Sequence, residues 1–494
     1  MLPSKRRPPQ EPGRYNRGLR KHLWFTASLV TALPLIAALC VTIWRAPYPI
    51  SETVALLEGA GVMESGTSHA LLQNPTVVSF FDPTSRSWYR PFYHLTWYSL
   101  WNATHSLRDT LWWFKVIEVG AIAAIACLLL WGLRPGNGIE YGAALLALAV
   151  LVGSPAFREN LEVPLLYTLV GMPLLLVAWL ILERPSQFWH GPVVLLLLVL
   201  AVGFKEQGLI IVPVVVAAWL LGAPGATAAT AAWVTLPGMA YLAFRLANSG
   251  HWGAFEQDFS FGFTTWSAQD ASTRVGGVRM LMHLYNGAST VLNLLFSEPT
   301  AGRFSITEAI TAGRAAPWQL NHLVSSTALT GLLGWWGLGA VRRQVGLRWD
   351  VEARAFGLTV VAVLASAALS FNYTRDRLGG MAIVLMAIST FFAARAAVSR
   401  MPSHGTRRLA LGACLLLLGV TWHIRAIGTV DAEHWRATRA QREWMTNLQK
   451  RRVEFADKPT YLAILAQMVR QGVAPDAAPE TPYDPGFAPI LGER

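Results

Sequence analysis

Residues 23–44 read LWFTASLVTALPLIAALCVTIW, twenty-two positions without a charge. A helix needs about 20 apolar residues to cross the roughly 30 Å hydrocarbon core of a bilayer. The stretch is too long for a secretory h-region and has no small-residue cleavage site after it, so it reads as a signal anchor that stays attached. Seven basic residues precede it: Lys5, Arg6, Arg7, Arg14, Arg17, Arg20 and Lys21. A basic flank before an apolar segment holds that flank in the cytoplasm.

Similar runs recur along the chain, at approximately 112–133, 138–154, 163–182, 190–204, 208–222, 229–247, 322–340, 355–371, 379–397 and 407–425. With the first they predict an all-α polytopic membrane protein of about 11 transmembrane helices, N-terminus inside and C-terminus outside. Composition agrees: of the 494 residues 53% are hydrophobic and 14% charged, against roughly a quarter charged in soluble chains. A soluble globular enzyme is excluded. The net charge of +12 does not indicate nucleic-acid binding, because no basic stripe with interleaved aromatics occurs in a soluble segment. Only six of the 41 basic residues are lysine, a bias that points to a GC-rich bacterial genome. Cys40, Cys127 and Cys414 all fall in apolar runs with no metal-ligand spacing, so they read as small buried side chains.

The arginines test the topology independently. With eleven spans, Arg134, Arg184, the group Arg342, Arg343, Arg348 and Arg354, and the group Arg395, Arg400, Arg407 and Arg408 all face the cytoplasm. The ambiguous stretch is Val278–Phe296, apolar but interrupted by Arg279, His283, Tyr285 and Asn286. If it spanned, both late arginine groups would move outside, against the positive-inside tendency. It is therefore expected to be an amphipathic helix on the external face. The organisation is then a basic cytoplasmic tail 1–22, a membrane module 23–427 with external loops 46–110 and 248–321, and an external segment 428–494. That last segment is helical over about 433–455 and 461–471 and Pro-rich at its end.

Chemistry-bearing residues collect at the external ends of the spans. Ser51-Glu52-Thr53 opens a loop helix with Ser51 as a plausible N-cap, which puts Glu52 in the first turn near the membrane surface, with Glu58 further along. In Trp88-Tyr89-Arg90-Pro91-Phe92-Tyr93-His94 the proline breaks any helix through Arg90, so its guanidinium projects from a fixed turn. Arg158-Glu159-Asn160, Phe204-Lys205-Glu206-Gln207-Gly208 and Tyr373-Thr374-Arg375-Asp376-Arg377 lie at other external ends. Lys115 and Glu118, at i,i+3 spacing, are expected to form a local ion pair. One-sided carboxylates and cations suit a charged, membrane-embedded substrate such as a lipid phosphate.

This order of motifs resembles the GT-C superfamily of integral-membrane glycosyltransferases. The likeness rests on an acidic loop helix after the first span (Ile50 to Glu58), then Trp88-Tyr89-Arg90-Pro91-Phe92-Tyr93-His94-Leu95. A Lys-Glu turn at 204–208, the turn 373–377 and an external C-terminal segment complete it. The resemblance implies transfer of a sugar from a polyprenyl-phosphate donor to an acceptor hydroxyl or amine on a glycan, lipid or protein, with inversion, at the periplasmic face of a bacterial inner membrane.

Such a reaction needs a base for the acceptor proton and cations for the departing phosphate. Glu52 is the first candidate base and Glu58 the second. Arg90, Lys205, Arg375 and Arg377 are candidate phosphate binders. Tyr89, His94, Glu159, Glu206, Tyr373 and Asp376 are expected to contact substrate or support those cations. Many members carry an acidic pair in the first loop, whereas this chain has Glu52 alone there. That favours metal independence and no cofactor, a divalent metal being the alternative. Rival readings are a ligase or polymerase of lipid-linked glycans, a lipid or solute transporter, and a non-catalytic scaffold. A transporter would require polar residues at span centres or paired broken helices.

Overall fold

The computed structural model describes residues 13–45, 90–158, 167–248, 259–261, 264–266, 279–300, 304–344, 349–371, 373–374, 376–400 and 409–426, with the single residues 273, 406, 428 and 470. Among these, the helices are α1 (Gly13–Arg45), α2 (Pro91–Thr104), α3 (Leu107–Leu133), α4 (Gly138–Gly153), α5 (Gly171–Glu183), α6 (His190–Phe204) and α7 (Ile211–Leu220). They continue as α8 (Ala228–Asn248), α9 (Arg279–Phe296), α10 (Pro317–Arg342), α11 (Val351–Leu369) and α12 (Gly380–Ser399), then α13 (Leu409–Ala426).

Among the described residues, five helices are long and apolar enough to cross a membrane: the Leu23–Val41 part of α1, then α3, α11, α12 and α13. The chain is a membrane protein by this measure. Several of the other expected spans are shorter than the sequence suggests, because 3-10 turns replace part of the α-helix. Tyr167–Val170 leads into α5 and Glu206–Ile210 into α7. With about 2.0 Å rise per residue in the turns and 1.5 Å in the helices, these two composites reach roughly 28 and 25 Å. The longer α10 carries Gln319, Asn321, His322, Ser325 and Ser326 in its first turns, which lowers its apolarity.

The packing order follows from apolar pattern. Helix α12 is apolar on every side, and each residue from Gly380 to Ala394 is buried, as expected of a helix at the centre of a bundle. The helices around it turn large side chains outward: Leu236 is 72% exposed, Leu416 70% and Leu364 59%. Apolar surface on that scale faces lipid rather than water.

Contacts between helices sort the helix ends into two groups. At one end, the start of α1 meets the start of α4 (Trp24 and Tyr141 rings 5.7 Å apart). There Glu352, at the start of α11, receives Arg343, Arg395 and Arg400, and Arg395 also reaches Glu140 at the start of α4. Arginines that the sequence assigns to a single side thus converge on one end. The other end gathers the end of α1 with α3 (Lys115 Nζ to the Trp44 carbonyl, 3.2 Å), α2 with α6, and the end of α13 with the start of α10.

The helical fold carries one small β element. A three-stranded sheet, in the order β2-β1-β3, joins β1 (Phe259–Phe261), β2 (Thr264–Trp266) and β3 (Tyr373–Thr374). β1 runs antiparallel to β2 and parallel to β3, with Ser260 opposite Tyr373. The alternating aromatic and hydroxyl residues of 259–266 around Gly262 carry a hairpin signal that the dominant helical pattern hid. The sheet ties the second large loop segment to the turn before α12.

Candidate functional site

The site grows from two local structures. Pro91 occupies the first turn of α2, where its missing N–H costs nothing and its fixed φ suits the helix. Tyr93, Trp97 and Trp101, at i, i+4 and i+8, are each at most 3% exposed and form the buried face. Tyr93 and Trp97 rest on Phe114 of α3, with ring centroids 6.0 and 5.4 Å away. Phe92 packs on Phe204 at the end of α6. Arg90, the residue before the helix, is thereby held at a fixed corner.

The second structure is the elbow where α6 gives way to the 3-10 turn. Lys205 is extended there (φ −159°, ψ 144°), so the chain changes direction at that residue. Two glycines make the elbow possible. A Cβ at Gly203 would collide with the Phe92 ring, and one at Gly208 would come within 2.6 Å of the Ala201–Val202 backbone. Lys205 is 1% exposed.

The two structures meet through a forked ion pair. Arg90 Nε donates to Glu206 Oε2 at 3.0 Å and Nη2 to Oε1 at 2.9 Å. Their side chains are only 14% and 15% exposed. This planar two-point contact fixes the orientation of the guanidinium, not only its position. On α3, Lys115 and Glu118 are 6% and 1% exposed. Each reaches a different element: Lys115 donates to the Trp44 carbonyl, and Glu118 accepts from the Thr168 hydroxyl in the turn before α5. The sequence treats these two as a local pair; the structure shows them linking α3 to α1 and to the 167–170 turn.

Helix α9 packs against the end of α11 and the turn that follows it. His283 Nδ1 lies 2.9 Å from the Phe371 carbonyl, Asn286 donates to the same carbonyl at 3.2 Å, and Thr290 donates to Ser370 at 2.7 Å. Met280, Leu281 and Leu284 are 58%, 48% and 61% exposed. The polar face therefore points into the protein and the apolar face outward, across the C-terminal end of α11. Together with β1 it pins the turn that carries Tyr373, Asp376 and Arg377. An open hollow of about 690 Å³ lies at the start of α3, lined by Ser106, Arg108, Asp109, Trp112, Trp113 and Arg470 of the C-terminal segment.

Of the residues singled out in sequence, Arg90 and Glu206 touch and Lys205 is adjacent. The backbone of His94 lies on α2, that of Tyr373 on β3, and those of Asp376 and Arg377 in the 3-10 turn 376–379. Glu52, Glu58, Tyr89, Glu159 and Arg375 lie outside the described residues. Among the described residues no group of three or more His, Cys, Asp or Glu gathers as a metal site would.

No family model, curated protein or solved structure matches this chain. The functional reading therefore rests on the residues and their arrangement.

Proposed function

We infer that this chain is a GT-C-type glycosyltransferase of about eleven spans that moves a sugar from a polyprenyl-phosphate donor to an acceptor hydroxyl or amine. The site lies at the external face of a bacterial inner membrane. One observation carries the reading: a forked, largely buried Arg90–Glu206 pair beside the buried Lys205, at the helix ends opposite the arginine-rich end. Cations held there suit a phosphate whose hydrocarbon tail stays in lipid.

In the proposed reaction Glu52 takes the acceptor proton as the acceptor oxygen or nitrogen bonds to the anomeric carbon. The bond from that carbon to the phosphate oxygen breaks with inversion, and polyprenyl phosphate leaves with the bonding pair. Arg90, oriented by Glu206, together with Lys205, Arg375 and Arg377, stabilises the charge on the leaving group. The arrangement of helix ends supports the alternating topology. The Trp112–Trp113 hollow offers aromatic faces of the kind on which sugars stack.

Mass spectrometry of glycolipids and glycans from cells tests this, comparing wild type with Glu52→Gln at equal membrane abundance. The substitution keeps size and hydrogen bonding and removes the base, worth about 10²–10⁴ in rate. One sugar increment is expected to vanish while its polyprenyl-phosphate donor accumulates. An increment of a whole oligosaccharide repeat would instead identify a ligase or polymerase. An unchanged profile would remove Glu52 as the base, and an unchanged profile in a full deletion would remove the transferase reading.

A further inference from the structure

The arginine-rich end of the bundle holds a second arrangement that sugar transfer does not use. Arg343, just after α10, and Arg400, just after α12, each donate from Nη2 to the same oxygen, Glu352 Oε2, at 3.3 Å. Their other terminal nitrogens converge on Gly339: a Cβ built there would lie 3.7 Å from Arg343 Nη1 and 3.8 Å from Arg400 Nη1. Among the described residues, neither of these Nη1 groups meets an acceptor. The glycine leaves a notch flanked by two guanidiniums whose orientation Glu352 fixes from behind.

The charge around the notch is unbalanced. Arg343, Arg395 and Arg400 share Glu352, Arg395 also reaches Glu140, and the neighbouring Arg342 is exposed. These four guanidiniums compare with three carboxylates at this end, Glu140, Glu352 and Asp350, the last of which caps α11. The two that border the notch are accessible, with side chains 43% and 36% exposed.

The surroundings identify the environment of an occupant. Trp335, one turn before Gly339 on the same face of α10, is 50% exposed, and Leu338 is 55% exposed. The Arg400 guanidinium lies over the Trp335 ring, 5.7 Å from its centroid. An outward tryptophan below a pair of arginines is the side-chain sequence expected at a bilayer edge, with the ring at headgroup level and acyl chains beyond it. Basic pockets between membrane helices are suited to phosphate headgroups, and two forks can hold phosphate oxygens from both sides.

We propose that the Gly339 notch, bordered by Arg343, Arg400 and Trp335, binds the headgroup phosphate of an anionic phospholipid. The site is separate from the candidate transfer site, and the proposal does not depend on the reaction.

The test uses the full-length protein in neutral detergent micelles, with native mass spectrometry reading retention of dioleoyl-phosphatidylglycerol against dioleoyl-phosphatidylcholine at equal mole fraction. Wild type is expected to retain phosphatidylglycerol preferentially. Two basic contacts together correspond to about 30-fold in affinity, so Arg343→Gln/Arg400→Gln is expected to lose retention by that factor. Gly339→Asp keeps both arginines but sets a carboxylate between them, and is expected to lose retention comparably. Equal retention of the two lipids by wild type, or unchanged retention in either charge variant, overturns the proposal. Displacement by millimolar glycerol phosphate would assign the notch to a soluble phosphate ester and overturn it as well.

Discussion

Arg90→Ala is expected to reduce sugar transfer by about two to three orders of magnitude, the range for removing one preorganised group that stabilises developing negative charge. The argument rests on orientation. Glu206 holds the guanidinium in one plane through two contacts of 2.9 and 3.0 Å, so the proposed phosphate binder is arranged before substrate arrives. Arg90→Lys keeps the charge but cannot reproduce the fork, and should recover only a small part of the activity. Glu206→Gln can accept one hydrogen bond but not two charged ones, and should fall between wild type and Arg90→Ala. Because the residues act as a unit, the double variant should fall well short of the summed single losses, with a coupling of about 0.5–3 kcal/mol. The same variants followed by thermal unfolding in micelles separate catalysis from folding. Strictly additive rate effects would show that Glu206 does not position Arg90.

The second large effect concerns stability. Arg425, at the end of α13, is 2% exposed. It donates to the hydroxyls of Ser325 at 2.9 Å, Ser326 at 2.7 Å and Ser297 at 2.8 Å, and to the His322 carbonyl at 3.2 Å. Its guanidinium also sits 3.9 Å from the centroid of the Trp422 ring. These contacts tie α13 to α10 and to the end of α9. Charge-assisted hydrogen bonds contribute about 1.5–3 kcal/mol each, although the serines can re-pair, since Ser297 and Ser326 already lie 2.6 Å apart. Arg425→Met is therefore expected to destabilise the fold by about 3 kcal/mol, and Arg425→Lys by roughly half that. Thermal unfolding measures the loss, and limited proteolysis should show earlier cleavage after α13. A loss below about 0.5 kcal/mol, the level of an ordinary surface substitution, would mean that apolar packing alone docks α13.

Much of the helical layout was legible because apolar runs of membrane length leave few alternatives. Residues 190–204, read as a span, coincide with α6, and the stretch expected to lie on the external face, 278–296, is α9 to within one residue. What periodicity misses is a change of helix type. The run 208–222 reads as one span, yet its first residues belong to the 3-10 turn Glu206–Ile210. It also misses non-local pairing. Nothing near Tyr373 indicates that Ser260, more than a hundred positions earlier, lies beside it in a parallel ladder.

The candidate site divides in the same way. Arg90, Lys205 and Glu206 were identifiable singly because charged groups at the ends of apolar runs are costly without a role. That Glu206 is the partner of Arg90 depends on α2 packing against α6, which only the fold supplies. Lys115 and Glu118 show what burial adds to a local reading. Their spacing suggests a self-contained pair, whereas burial turns each toward a neighbouring element. The polar stripe of α9 was visible as an interruption of an apolar run, but its inward direction was not.

The most direct test of the account is transfer by the purified full-length protein in lipid vesicles supplied with polyprenyl-phosphate sugars and an extract of host glycans and lipids. Mass spectrometry reads both products, the free polyprenyl phosphate and the acceptor. The account predicts that wild type releases polyprenyl phosphate and adds one sugar to an acceptor in equal amounts. It also predicts that Glu52→Gln slows both together by about 10²–10⁴. If wild-type vesicles leave every polyprenyl-phosphate sugar intact while an extract from cells expressing the protein consumes one of them, the chain is not the transferase, and the central claim fails.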